Sequence, residues 1–345
     1  MNITIIGAGA IGGVIGGYLG KAGEQVTFVD IDADHVEKMR MDGLTINGVE
    51  TFTVPVRAFT TDELLARKER LETVFLCVKA QHTREAVESI QHLLTPASVV
   101  VSFQNGLCEQ EIAGLIGQER TVGCFVNLFA DYLEPGLIEY GGVGSVYLGE
   151  LDGTVSPRVH DLVGRLRAWG TAHSTDNIWG YLWSKLAYGA VLTATALTNE
   201  TIADVLSTES NRLMLLDLAA EVLAVADQQG VVPMGFDGWE PALAYPVSSR
   251  DWDEINRQLD KLVARLRTYT KTRTGIWRDL AVRKRKTEVP YHLKPVIAAG
   301  EAAGLEMRLT KATLLMIQEI EQGNRNLSLH NLDELHTIHR QNTGV

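Results

Sequence analysis

Residues 1–30 read MNITIIGAGAIGGVIGGYLGKAGEQVTFVD, and this stretch decides the fold. Asn2-Ile3-Thr4-Ile5-Ile6 is a short β-branched run, and Gly7-Ala8-Gly9-Ala10-Ile11-Gly12 follows it directly, giving G-x-G-x-x-G in the strand-to-helix setting the motif requires. Gly7 permits the sharp reversal, Gly9 lacks the Cβ that would block a pyrophosphate, and Gly12 lets the helix press on the sheet. The helix that begins here aims its unsatisfied N–H groups and positive dipole end at phosphate, which places Ala10 and Ile11 among the cofactor-binding positions. A second strand, Gln25-Val26-Thr27-Phe28-Val29, ends at Asp30, eighteen residues beyond Gly12. A carboxylate there accepts hydrogen bonds from the adenosine ribose 2′- and 3′-hydroxyls and repels a 2′-phosphate, so NAD(H) is expected and NADP(H) disfavoured. The competing reading is a structural turn, or a Rossmann-like domain for another nucleotide. The preceding strand, the following helix and the spacing of the acid all favour a dinucleotide.

The chain has 345 residues, too many for one ordinary core, so two domains are expected. Hydrophobic residues make up 45% and charged residues 22%, an ordinary globular composition. A formal net charge of −11 argues against nucleic acid or an anionic membrane as partner. The start lacks a basic, cleavable apolar leader and no apolar run is long enough to span a bilayer, so a cytoplasmic protein is expected. Cys77, Cys108 and Cys124 have neither disulfide nor zinc spacing. His336-x-x-His339 is a weak metal candidate, read instead as a solvated pair on a C-terminal tail, and no metal is expected.

The first half alternates strand-like and helix-like segments, as a doubly wound parallel sheet requires. Residues 73–78, 98–102 and 122–125 are continuous apolar runs, the signature of strands buried on both faces. In open α/β sheets ligands lie beyond the carboxyl ends of the strands, which puts Lys79 and Asn105 at the nicotinamide end of a bound cofactor. Residues 143–150, with Gly141, Gly142, Gly144 and Gly149 in and around them, read as the strand closing this domain. Beyond about Thr175 the period becomes helical, with helices expected over 179–197, 207–229, 251–270, 295–304 and 311–322. The expected organisation is a Rossmann domain over 1–175, an all-helical substrate and catalytic domain over 176–330, and a tail over 331–345.

A nicotinamide cofactor moves a hydride, and the protein must then supply orientation, a proton and charge stabilisation at the carbonyl oxygen. Lys185, within Trp183-Ser184-Lys185-Leu186-Ala187, lies on an otherwise apolar helix and is the best candidate acid. A snorkelling lysine is the alternative. Glu288 follows the basic run Arg283-Lys284-Arg285-Lys286, and charge pattern alone favours an exposed, self-compensating face.

The combination of the glycine turn with Val78-Lys79-Ala80, Gln104-Asn105-Gly106-Leu107, Trp183-Ser184-Lys185-Leu186-Ala187 and Trp277-Arg278-Asp279-Leu280 followed by Thr287-Glu288 strongly resembles the ketopantoate reductase (2-dehydropantoate 2-reductase) family over nearly the whole chain. That resemblance implies a helical domain of the 6-phosphogluconate dehydrogenase C-terminal-like type, a small 2-oxo acid substrate and a homodimer. It also implies that Lys185 is the general acid, that Glu288 hydrogen-bonds the substrate's hydroxyl, and that Lys79 and Asn105 line the nicotinamide and substrate side. Three positions depart from the family pattern. Asparagines expected four and eight residues after the lysine are Gly189 and Thr193, and the serine opening S-M-x-x-D is Gly275. Loss of these groups is expected to relax or redirect specificity, leaving ketopantoate or a related, bulkier 2-oxo acid as the substrate. Arg273, Arg278 and the 283–286 run are candidates for recognising its carboxylate. The other readings are a hydroxyacid or opine-type dehydrogenase on the same plan and a non-catalytic dinucleotide sensor.

Overall fold

The computed structural model describes residues 1–142, 144–269 and 271–343. Val143, at the head of the strand expected over 143–150, and Thr270, at the end of the helix expected over 251–270, lie outside the described residues. The chain divides into two units, Met1–Ile178 and Trp179–Val345.

Unit 1 contains β1 (Asn2–Ile6), β2 (Gln25–Asp30), β3 (Leu44–Gly48), β4 (Phe52–Val54), β5 (Arg57–Thr60), β6 (Leu71–Leu76), β7 (Leu94–Ser102), β8 (Thr121–Val126), β9 (Phe129–Glu134), β10 (Leu137–Gly142), β11 (Val146–Glu150) and β12 (Ala172–Ser174). The main sheet has the order β12-β11-β8-β7-β6-β1-β2-β5. Its central strands are parallel, but β11 runs antiparallel to β8. The doubly wound sheet is therefore mixed at one edge. The chain leaves β8, passes through β9 and β10 in a second sheet, and returns as β11 without the helical crossover that a parallel return needs.

That second sheet, β4-β3-β10-β9, has no counterpart in the sequence reading, because its strands are short and partly polar. It packs on helix α1 (Ala10–Lys21), where Cβ atoms added at Gly13 and Gly17 would lie 2.8 Å from Ile138 and 3.1 Å from Ile46. On the other side of α1, a Cβ at Gly16 would lie 2.4 Å from Ile5 and 2.5 Å from Phe28. The glycine-rich face thus lets α1 sit flush between two sheets, and Ile3, Ile5, Phe28, Leu44, Ile46 and Ile138 form the surrounding core.

Unit 2 is helical: Ile178–Thr195, Ile202–Ser207, Glu209–Gln228, Trp252–Leu266, Gly275–Ala281, Val289–Ala302, Arg308–Glu321 and His330–Thr343. Three differences from expectation have physical causes. The helix expected over 207–229 runs over Glu209–Gln228, and a short helix, Ile202–Ser207, that was not expected precedes it, separated by Thr208. The helix expected to begin at Pro295 begins at Val289, with Pro290 in its first turn and Pro295 inside it. The segment expected as a tail over 331–345 is helical as far as the described residues run, to Thr343, with Leu332, Leu335 and His339 buried at helical spacing. His339 Nε2 lies 2.6 Å from Asp217 Oδ2, and Asp217 Oδ1 accepts from Arg250 at 2.5 Å. His336 Nε2 lies 2.8 Å from Asn211 Oδ1, so both histidines of the expected solvated pair are engaged by the protein. No helix among the described residues is long and apolar enough to cross a membrane.

Candidate functional site

The three glycines of the turn are required for different reasons. Gly7 has φ +94°, and a Cβ there would lie 2.9 Å from the backbone of Cys77 and Val78. At Gly12 a Cβ would lie 2.1 Å from the Gly7 carbonyl oxygen. Both are demanded by the protein's own packing. Gly9 is not, because nothing lies within 4 Å of a Cβ built on it. The space in front of Gly9 fits a pyrophosphate approaching the backbone, and no side chain caps the α1 N-terminus at Ala10 and Ile11.

Asp30, at the end of β2, holds this turn. Its Oδ2 accepts from the Ala8 N–H at 2.7 Å and its Oδ1 from the Asp32 N–H at 3.0 Å. Each oxygen keeps a second lone pair, so the carboxylate is fixed in orientation and still able to accept a hydroxyl. Asp32 has a structural duty: its Oδ1 caps helix α2 (Ala33–Asp42) by accepting from Asp34 and His35 N–H at 3.1 Å each. Its Oδ2 accepts from the Tyr132 hydroxyl at 3.3 Å. Burial, then the Asp32 charge, pushes that phenol up to about 12, which keeps it a donor.

The strand register places the remaining unit 1 candidates. Ile6 is level with Val29 and with Leu76, and Leu76 is level with Ser102, so β2, β1, β6 and β7 finish together. Gly7, Asp30, Lys79 and Asn105 all leave that carboxyl edge, where open α/β sheets bind ligands. Lys79 is half-buried and precedes a 3₁₀ turn, Ala80–His82, while Asn105 is exposed ahead of Gly106 at φ +95°. Gln104 ties these two loops together. Its buried amide donates to the Val78 carbonyl at 2.8 Å and to Thr83 Oγ1 at 2.9 Å, and Thr83 donates to the Ala80 carbonyl at 2.9 Å.

In unit 2, Lys185, Gly189 and Thr193 fall one turn apart on helix Ile178–Thr195 and so share a face. Lys185 is half-buried, and its neighbour Ser184 is fully buried and accepts from Trp239 Nε1 at 3.1 Å, fixing that turn. A Cβ at Gly189 would meet nothing within 4 Å. Thr193 is buried, and its hydroxyl hydrogen goes to the Gly189 carbonyl at 2.7 Å. Gly275 opens its helix with open space at its Cβ, and Thr274 before it is the N-cap, accepting from the Trp277 N–H at 3.0 Å. Glu288 is at the N-cap position of Val289–Ala302 but caps nothing with its side chain. Its neighbour Thr287 is buried and donates both its N–H and its hydroxyl to Glu321 Oε1, each at 2.7 Å. Glu321 was not marked by any sequence motif.

The arginines divide. Arg273 donates to the Asn199 carbonyl at 2.7 and 2.9 Å and stacks 4.8 Å over Trp277. Arg283 and Arg285 pair with Asp279 at 3.1 and 2.9 Å, so these two cations of the basic run are committed to structure.

Comparison with known proteins matches residues 3–153 to the profile of ketopantoate reductase PanE/ApbA and residues 177–321 to that of ketopantoate reductase PanE/ApbA, C terminal. A 2-dehydropantoate 2-reductase of Mesorhizobium japonicum is 30% identical over 265 residues, covering 69% of this chain and 79% of the relative. Another, of Archaeoglobus fulgidus, is 26% identical over 93% of this chain and 98% of its own length. Among solved structures, D-mandelate dehydrogenase with NADH and anilino(oxo)acetate superposes with a TM-score of 0.79 at 20% identity, covering 94% of this chain and 99% of that one.

Proposed function

This chain belongs to the ketopantoate reductase family of nicotinamide-dependent oxidoreductases, and on that premise we propose that it reduces the ketone of a 2-oxo acid with NADH, Lys185 donating the proton. The nicotinamide, when bound, supplies the hydride. As hydride reaches the carbonyl carbon, charge grows on the oxygen, and the Lys185 ammonium neutralises it by hydrogen bonding and then by proton transfer. Glu288 accepts a hydrogen bond from a substrate hydroxyl, and its placement rests on the Thr287–Glu321 brace. Lys79 and Asn105 orient the nicotinamide and the substrate's carboxylate end.

The observation that carries the NADH preference is the fixed Asp30 carboxylate, held by the Ala8 and Asp32 amides. A 2′-phosphate oxygen about 4 Å from it meets about 1 kcal/mol of repulsion per unit charge in bulk water, and about 4 kcal/mol at an effective dielectric of 20. NADH is therefore favoured by about tenfold or more. The substrate reading rests on positions 189, 193 and 275. Gly189 offers space instead of a donor, the Thr193 hydroxyl hydrogen is spent on its own helix, and Gly275 has no side chain. A 2-oxo acid bulkier than ketopantoate fits such a surface.

Steady-state kinetics with NADH and NADPH against ketopantoate and a panel of 2-oxo acids test both parts. Efficient ketopantoate turnover at low substrate concentration rejects the redirected substrate, and higher kcat/KM with NADPH rejects the cofactor preference.

A further inference from the structure

We infer that His35 is a positioning residue for the dinucleotide: it fixes the direction of the Ala8–Gly9 peptide and so aims the Gly9 amide at the pyrophosphate. The inference rests on the cofactor reading above. His35 lies in the first turn of α2, is 1% exposed, and meets the Tyr132 ring edge-on with centroids 5.0 Å apart. Its two ring nitrogens face partners that leave one arrangement of protons. The Gly136 N–H lies 2.9 Å from Nδ1 and can only donate, so Nδ1 must be the bare nitrogen. Nε2 therefore carries the hydrogen, and it donates to the Ala8 carbonyl at 2.9 Å.

The Ala8 residue is thereby held at both its polar groups, its N–H by Asp30 and its carbonyl by His35. The peptide joining Ala8 to Gly9 is trans, because the cis bond among the described residues is Tyr245–Pro246. In a planar trans peptide the C=O and the following N–H point in opposite directions. Drawing the Ala8 carbonyl inward to His35 thus turns the Gly9 N–H away from the imidazole, at a residue where a Cβ would meet nothing within 4 Å. Among the described residues the imidazole is the side-chain donor to this carbonyl, and without it a rotated peptide would present a carbonyl oxygen to a phosphate.

Two substitutions separate positioning from simple packing. An asparagine carbonyl oxygen overlays Nδ1, so His35→Asn keeps the Gly136 bond and loses the Ala8 bond. A glutamine amide nitrogen overlays Nε2, so His35→Gln keeps the Ala8 bond and loses the Gly136 bond. Each loses one buried hydrogen bond, so their melting temperatures should fall by similar amounts. Fluorescence titration should show NADH binding weakened about fivefold or more in H35N and within about twofold of wild type in H35Q. The ¹⁵N spectrum of the unsubstituted protein should show a neutral Nε2–H ring at His35, an observation independent of how either variant folds. Equal NADH affinity in the two variants, or an Nδ1–H ring, overturns the positioning role. A wild-type protein that binds neither NADH nor NADPH instead overturns the cofactor reading itself.

Discussion

A single carboxylate at position 30 braces the glycine turn and, in the function proposed above, also selects NADH, and the two duties can be pulled apart. Asp30→Asn keeps one acceptor but turns an amide N–H₂ toward one of the two backbone donors at Ala8 and Asp32. The NADH-to-NADPH ratio of kcat/KM should fall by about tenfold as the charge is removed, with a stability loss of about 1 kcal/mol from the mismatched donor. An unchanged ratio would show that Asp30 only braces the turn. Gly9 and Gly12 make a sharper contrast. Gly9→Ala, at φ −67° and facing open space, should melt with the wild type yet lose dinucleotide binding. Gly12→Ala should lose about 1–3 kcal/mol or fail to fold, because its Cβ would overlap the Gly7 carbonyl. Lys185→Ala should lower kcat by about 10²–10⁴-fold while NADH titration stays unchanged. Asp30 and the glycines were legible because their duties are local and written at fixed spacing. His35 was not, since its partners, Ala8 and Gly136, come from two loops far apart in sequence.

At the level of elements, the catalytic candidates are held by side chains reaching from one segment to the start of another. Glu321, at the end of Arg308–Glu321, takes both donors of Thr287 and so pins the residue before Glu288. Removing it by Glu321→Ala leaves a buried N–H and hydroxyl unmet, at a cost of about 1–3 kcal/mol. The kinetic signature expected is a raised KM for the 2-oxo acid with NADH affinity preserved, and a variant with normal KM would reduce the brace to stability alone. Glu221 works the same way on the next helix, accepting from the Leu309 and Thr310 N–H groups at 2.9 and 2.8 Å where Met307 supplies no side-chain cap. Element type was readable wherever the apolar period was strong, as over 73–78 and 179–197. The C-terminal helix was missed because it is polar over most of its surface, although Leu332, Leu335 and His339 repeat at helical spacing.

For the molecule as a whole, that C-terminal helix brings a pH dependence. Burial, followed by the His339 and Arg340 charges, holds His336 below its ordinary 6.5. The folded state then binds fewer protons than the unfolded one below pH 6.5, so this contribution to stability is complete above that pH and is lost as the pH falls. Melting temperature should drop between pH 7 and 5, and His336→Gln, which retains a donor for Asn211, should flatten the drop. A wild-type slope that the variant leaves untouched would assign the acid sensitivity to other groups. The amino-acid sequence by itself determined the glycine turn between strand and helix, the acid after β2 and the change from alternating to helical segments near residue 175, because each is written in a local motif or period. Only the tertiary structure decided the mixed edge of the main sheet, the second sheet over α1, the helix at the C-terminus and the bracing by His35, Gln104 and Glu321 of segments that carry candidate residues. Those features are hydrogen bonds and packing between separate segments of the chain. No local period or motif encodes which distant donor will meet which buried acceptor.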